Sequence, residues 1–185
     1  DLGTTITALA LGADDSELYM SRIINDTIVS LADTDGLSFV HELAVLDAAT
    51  GELLRSADLG RQASSGGPIA SLHGISVAPD RVWVAVEGSD LAIALDPATL
   101  AEQARVAAPG RPRSLVRVGD AVFVHGAQQT TLTRVPADAA SGAETTALTT
   151  TADPRPMPVV AGQAYFTGAG RGYAVSWSCN SCHAD

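Results

Sequence analysis

Runs of four to eight residues rich in Val, Ile, Leu and Thr recur along the chain, each closed by Gly, Pro, Asp or Asn. This is the pattern of strands separated by turns, and helical periodicity is weak throughout. The Ala-rich piece from Pro97 to Ala104 is the best helical candidate, and it is too short to stand alone.

The strand runs repeat in order. His73-Gly74-Ile75-Ser76-Val77 leads through Pro79-Asp80 into Val82-Trp83-Val84-Ala85-Val86. Ser114-Leu115-Val116-Arg117-Val118 leads through Gly119-Asp120 into Val122-Phe123-Val124-His125, and Pro158-Val159-Val160-Ala161-Gly162-Gln163 leads into Tyr165-Phe166-Thr167. The aromatic anchors Trp83, Phe123 and Phe166 are 40 and 43 residues apart, and Leu18-Tyr19-Met20 fills the same slot in an earlier copy. Two copies continue alike: Leu43 to Asp47 then Ala48-Ala49-Thr50, and Leu91 to Asp96 then Pro97-Ala98-Thr99. An Asp placed there can accept the amides that follow it and start a turn. A period near 40 in an all-strand chain marks a propeller blade. The expected fold is all-β, a partial β-propeller of about three and a half four-stranded antiparallel blades over 1–177. The blades are expected at about 4–60, 73–108, 114–151 and 157–177, with residues 178–185 starting a cytochrome c domain.

The first copy carries an insertion from Asn25 to Val40 that includes Asp33-Thr34-Asp35-Gly36. A calcium loop would need a ligand where Leu31 stands, so a plain turn is the better reading. Propellers close with four to eight blades, and an open array leaves unpaired strand edges. Missing blades or other chains are therefore expected to complete the ring. The chain starts without Met and reaches only two residues past Cys179-Asn180-Ser181-Cys182-His183, so it reads as a processed or truncated piece.

Composition narrows the partners. The 185 residues are 46% hydrophobic and 17% charged, as in a globular protein, with a net charge of −10. This field repels nucleic acid. All 11 basic residues are Arg. Arg105, Arg111, Arg113 and Arg117 fall close together and offer a local anion or propionate patch, although scattered loop and strand-end charges explain them more simply. No apolar run approaches the ~20 residues of a membrane-spanning helix.

The chemistry sits at Cys179-Asn180-Ser181-Cys182-His183. A C-x-x-C-H run is the attachment site of a c-type haem. Two thiols at this spacing reach the two vinyl groups of one porphyrin edge, and the adjacent imidazole binds the iron axially. Cys179 and Cys182 are the 2 cysteines of the chain. The alternatives are a local disulfide or a metal site; neighbouring Cys and His seldom reach one tetrahedral zinc. Distal-ligand candidates are Met20 and Met157, then His41, His73 and His125, each of which has a structural reading as well. No nucleophile elbow, phosphate loop or H-E-x-x-H occurs, and Gly168-Ala169-Gly170-Arg171-Gly172 lies between predicted strands and opens no helix.

Blade repeats followed by Tyr165-Phe166-Thr167, a short link and Cys179-Asn180-Ser181-Cys182-His183 resemble the bacterial fusions of a YVTN-type β-propeller to a c-type cytochrome of the di-haem cytochrome c peroxidase/MauG group. An intact Tyr-Val-Thr-Asn is absent; Leu18-Tyr19-Met20-Ser21 and Val82-Trp83-Val84-Ala85 approximate it. The resemblance implies haem c as cofactor, Cys179 and Cys182 as thioether sites, and His183 as proximal iron ligand. Covalent haem is attached outside the cytoplasm, which implies a periplasmic or extracellular protein. Electron transfer to a redox partner protein or a second haem domain is the expected role. The alternatives are a binding or scaffold propeller whose redox domain is elsewhere, and part of a peroxidase or amine-oxidation-type enzyme.

Overall fold

A computed structural model describes residues 4–25, 39–62, 69–128, 131–149 and 153–168. Three four-stranded antiparallel sheets form, each a meander in chain order. The first holds β1 (Thr4–Leu11), β2 (Glu17–Asn25), β3 (Phe39–Asp47) and β4 (Leu53–Asp58). The second holds β5 (Leu72–Val77), β6 (Val82–Val86), β7 (Leu91–Leu95) and β8 (Glu102–Ala107). The third holds β9 (Pro112–Val118), β10 (Ala121–Gly126), β11 (Thr131–Pro136) and β12 (Thr146–Thr149). A short helix α1 (Leu59–Gln62) follows the first sheet. The innermost strands β1, β5 and β9 contact one another in succession. The described residues thus form a partial β-propeller of three blades.

Alternation along the strands builds the packing. Val82, Val84 and Val86 join Tyr19, Leu43, Val45, Ile93 and Leu95 in the core between the first and second blades. The residues between them point the other way: Trp83, Ala92 and Ala94 meet Val122, Val124 and Val135 in the core between the second and third. Small Ala residues leave room for the Trp83 indole, whose Nε1 donates to Ala137 O across the blades at 3.4 Å. Tyr19 thus faces the second blade and Trp83 the third, while Phe123, cross-strand partner of Arg134, occupies the same position on the third blade's outward side.

The Asp turns behave as the sequence predicts. Asp47 Oδ1 accepts the amides of Ala49 and Thr50 at 3.0 and 2.7 Å and the Thr50 hydroxyl at 2.9 Å. Asp96 repeats this with Ala98 and Thr99 at 3.0, 2.8 and 2.9 Å. Each turn ends on a left-handed residue, Gly51 at φ 73° in one copy and Leu100 at φ 58° in the other. The penalty at Leu100, on the order of 1 kcal/mol, is met by burying its side chain among the blade core.

Pro97 to Ala104, too short to stand as a helix, is this turn plus the start of β8, as the repeat predicts: Pro97 stands inside the turn, and Asp96 draws the next amides to its own carboxylate. One expectation fails here. The expected opening strands of a fourth blade, over 157–167, form instead the helix α2 (Met157–Thr167). Pro158 sits in the first helical turn, where its missing N–H costs nothing. Ala161, Gln163 and Ala164 favour helix, and no Asp follows Gly162 to fold a hairpin. Among the described residues no helix is long and apolar enough to cross a membrane.

Candidate functional site

The second and third blades meet at one end in a set of charged residues spaced by the repeat. Ser71 and Arg111, both left-handed at φ 56° and 62°, carry the chain from one blade into the innermost strand of the next. The Ser71 carbonyl accepts from Glu87 N, and the Arg111 carbonyl accepts from Ala127 N, both at 2.9 Å. The loops joining β6 to β7 and β10 to β11 are thereby pinned to the starts of β5 and β9. Gly74 lets these two strands touch: a Cβ there would lie 2.8 Å from the Ser114 Cα.

Glu87, in the 3-10 turn Glu87–Ser89, is 1% exposed. Arg113 Nε donates to its Oε1 at 2.8 Å. Its Oε2 faces His73 Nε2 at 2.7 Å without the alignment of a hydrogen bond. Burial pushes the Glu87 carboxyl up, but His73 and Arg113 outweigh it and hold the carboxyl below its usual value. Glu87 is thus a buried carboxylate clasped by one residue from each innermost strand.

Arg111 lies beside it, buried, and ties four segments together. Its backbone N–H donates to Asp90 Oδ1 at 2.8 Å, Nε to Gln128 Oε1 at 3.3 Å, and one terminal nitrogen to Glu87 O at 3.1 Å. The other terminal nitrogen donates to Ala164 O of α2 at 3.0 Å. Gln128 in turn donates to Val160 O at 2.6 Å. Arg155 bridges Asp153, Gln163 and the Gln128 carbonyl. Its guanidinium and its own backbone N–H beside Asp153 lower that carboxyl to about 2. The helix is held by Arg111 and Gln128, which donate to its Ala164 and Val160 carbonyls, and by Arg155, which donates to the Gln163 side chain; it leaves the clamp at Gly168. A Cβ at Gly168 would come 2.7 Å from an Arg111 nitrogen.

Among the described residues no group of three or more His, Cys, Asp or Glu is placed to hold a metal ion. His41 is buried, its Nδ1 accepting the Ser71 N–H at 3.3 Å. His73 belongs to the Glu87 cluster, and His125 is exposed on β10. Met20 is buried on β2, and Met157 opens α2 at 77% exposure. The predicted haem residues Cys179, Cys182 and His183 lie outside the described residues, as do Leu31 and the Asp33 to Gly36 turn. The four neighbouring arginines form no common anion patch: Arg105 pairs with Glu102, Arg117 with Asp80, and Arg113 with Glu87, while Arg111 is buried. Arg105 lies on β8, and Arg113 and Arg117, on one face of β9, stand four residues apart and reach carboxylates of different loops.

Glu87, Gln128, Asp153 and Arg155 were not singled out by the sequence. One signal was available: His73 and Arg113 stand 40 residues apart, at the same place in successive blades. No protein-family model matches the sequence, and no curated protein does. Solved structures do match. The Myceliophteria thermophila Cps50 (Swd1) β-propeller domain aligns with 89% of this chain and 45% of its own at 10% identity and a TM-score of 0.51. Kuenenia stuttgartiensis hydrazine synthase aligns with 80% of this chain and 46% of its own at 12% identity and a TM-score of 0.56. The chain therefore spans about half the length of the solved structures it matches, and the likeness is one of fold: a β-propeller.

Proposed function

We propose that this chain is the propeller portion of an extracytoplasmic electron-transfer protein carrying haem c. Cys179 and Cys182 would form the thioethers, and His183 would bind the iron. When bound, the haem supplies a one-electron redox centre. The observation that carries the reading is the Cys179-Asn180-Ser181-Cys182-His183 run, which contains both cysteines of the chain. The clamp adds support: α2 is fastened to the second and third blades and hands the chain on at Gly168, 11 residues before Cys179. The described residues act as a rigid base, with the redox chemistry in the segment beyond. A YVTN-type propeller joined to a di-haem peroxidase/MauG-like cytochrome fits this order of parts. The electron acceptor or donor is then a partner protein or a second haem domain, and the location is periplasmic or extracellular.

The ring is completed by further blades. The outer side of the first blade exposes Leu9, Leu11 and Leu53, and that of the third exposes Val116, Val118 and Leu148. Their sheet positions correspond to those buried between the blades already present.

Production of the full chain in a host that matures c-type cytochromes tests the reading. A Soret band that survives denaturing electrophoresis, and that Cys179→Ser with Cys182→Ser abolishes, is expected. Colourless protein with free thiols from that host overturns it and leaves a scaffold propeller.

A further inference from the structure

The cross-strand registers show which faces of the three-blade array lack a neighbour. In the second blade, Ile75, Val77, Val82, Val84 and Leu95 pack toward the first blade. Leu9, Leu11, Leu18, Met20 and Leu46 hold the same positions in the first blade. Leu9 pairs with Met20 as Ile75 does with Val84, and Leu18 pairs with Leu46 as Val82 does with Leu95. Leu11, Leu18, Leu46 and Leu53 pair in turn across all four strands of that blade. Leu9 and Leu11 are nonetheless 58% and 54% exposed. At the other end, Phe123 pairs with Val116 and Arg134 as Trp83 does with Ser76 and Ala94. Trp83 is buried against the next blade, whereas Val116 and Val118, on the Phe123 side of β9, are 55% and 59% exposed. The first blade thus carries the face that receives a preceding blade, and the third the face that receives a following one.

We propose that a second copy of this chain supplies both missing neighbours: the third blade of each copy packs on the first blade of the other, closing one ring from two chains. This rests on the reading above that further blades complete the ring, and not on haem. The contact continues an interface that the chain already makes twice, between its first and second blades and between its second and third. The third blade brings Phe123, in the slot of the anchors Tyr19 and Trp83, and the first blade brings the leucine row. Because the two faces differ, the contact is head-to-tail, and two such contacts about a twofold axis close a ring and leave no open face. The size fits. The Cps50 β-propeller domain is matched over 45% of its length, so two copies supply close to one such ring. The charges on the two faces are already paired within their own blades, Arg22 with Glu42 on the first and Arg134 with Asp120 at 3.7 Å on the third. Closure therefore buries no cation that needs a partner from across the contact.

Light scattering of the full chain under reducing conditions tests this. Twice the mass of one chain is expected at micromolar concentration. Leu9→Glu/Leu11→Glu and Val116→Glu/Val118→Glu change exposed positions on the two opposite faces. Each is expected to weaken the pair by about 100-fold or more, because a carboxylate is buried without a partner, while the far-ultraviolet circular dichroism stays unchanged. A pair that survives either substitution means that other faces meet, and overturns the head-to-tail closure. A ladder of larger species means a contact that does not close, and overturns it as well. A wild-type monomer that binds an apolar fluorescent dye, with less bound by each variant, overturns the second copy and leaves completion by blades of another source standing. A wild-type monomer that binds no such dye overturns both.

Discussion

The third blade and the segment after it begin from similar sequences and end as different structures. Val118-Gly119-Asp120 before Val122-Phe123-Val124 folds as the β9–β10 hairpin, with Gly119 left-handed at φ 61°. Val160-Ala161-Gly162-Gln163 before Tyr165-Phe166-Thr167 winds as α2. The glycines stand in the same relation to the following Phe, four residues before it in each copy. What differs is the local chemistry. The hairpin has a Gly-Asp turn and a neighbouring blade to cover Val122 and Val124. The helix has a proline in its first turn, helix-favouring residues in its middle, and Arg111 and Gln128 donating to its carbonyls. Apolar spacing alone does not decide between strand and helix in a run this short.

Breaking the blades should have the largest effect. Trp83→Ala opens a cavity between the second and third blades and is expected to cost about 3–5 kcal/mol. Denaturant unfolding followed by far-ultraviolet circular dichroism measures it, and α2 should be lost along with its platform. Arg111→Ala comes next. It removes charge-assisted hydrogen bonds to Glu87 O and Ala164 O, each on the order of 1.5–3 kcal/mol. Its signature is selective: limited proteolysis should cut near 157–168 while the three sheets stay protected.

The aligned glycines sharpen the comparison further, because they predict opposite signs. Gly119→Ala forces a side chain into a left-handed turn and should destabilise by about 1 kcal/mol. Gly162→Ala replaces a helical glycine with open space around it and should stabilise α2 by roughly 0.5–1 kcal/mol. Destabilisation at both sites would mean that the second glycine also turns a hairpin. The smallest effect concerns pH. Asp153 has its carboxyl lowered to about 2 by Arg155, so its contribution is full above the unfolded-state value and is lost as pH falls through about 2. Acid titration of α2 protection should show a loss over this window that Asp153→Asn removes.

The blades were legible because their signals are local and repeated. Trp83 and Phe123 mark one register, and Asp47 and Asp96 make the same three hydrogen bonds in two copies. The helix was not, because Val159, Val160, Tyr165 and Phe166 are residues that strands also favour, and Arg111 and Gln128, which donate to its carbonyls, come from the third blade. The Glu87 clasp was hidden for a related reason: His73 is 14 residues before it and Arg113 26 after, so only the closeness of β5 and β9 joins them. The haem attachment proposed at Cys179, Cys182 and His183 rests on the spacing of those residues in the sequence.

Intact mass measurement of the full chain from a c-type-maturing host tests the central claim most directly. The account predicts a species heavier by one haem, with neither Cys179 nor Cys182 open to alkylation. The bare chain mass, with both thiols alkylated or joined as a disulfide, would contradict it.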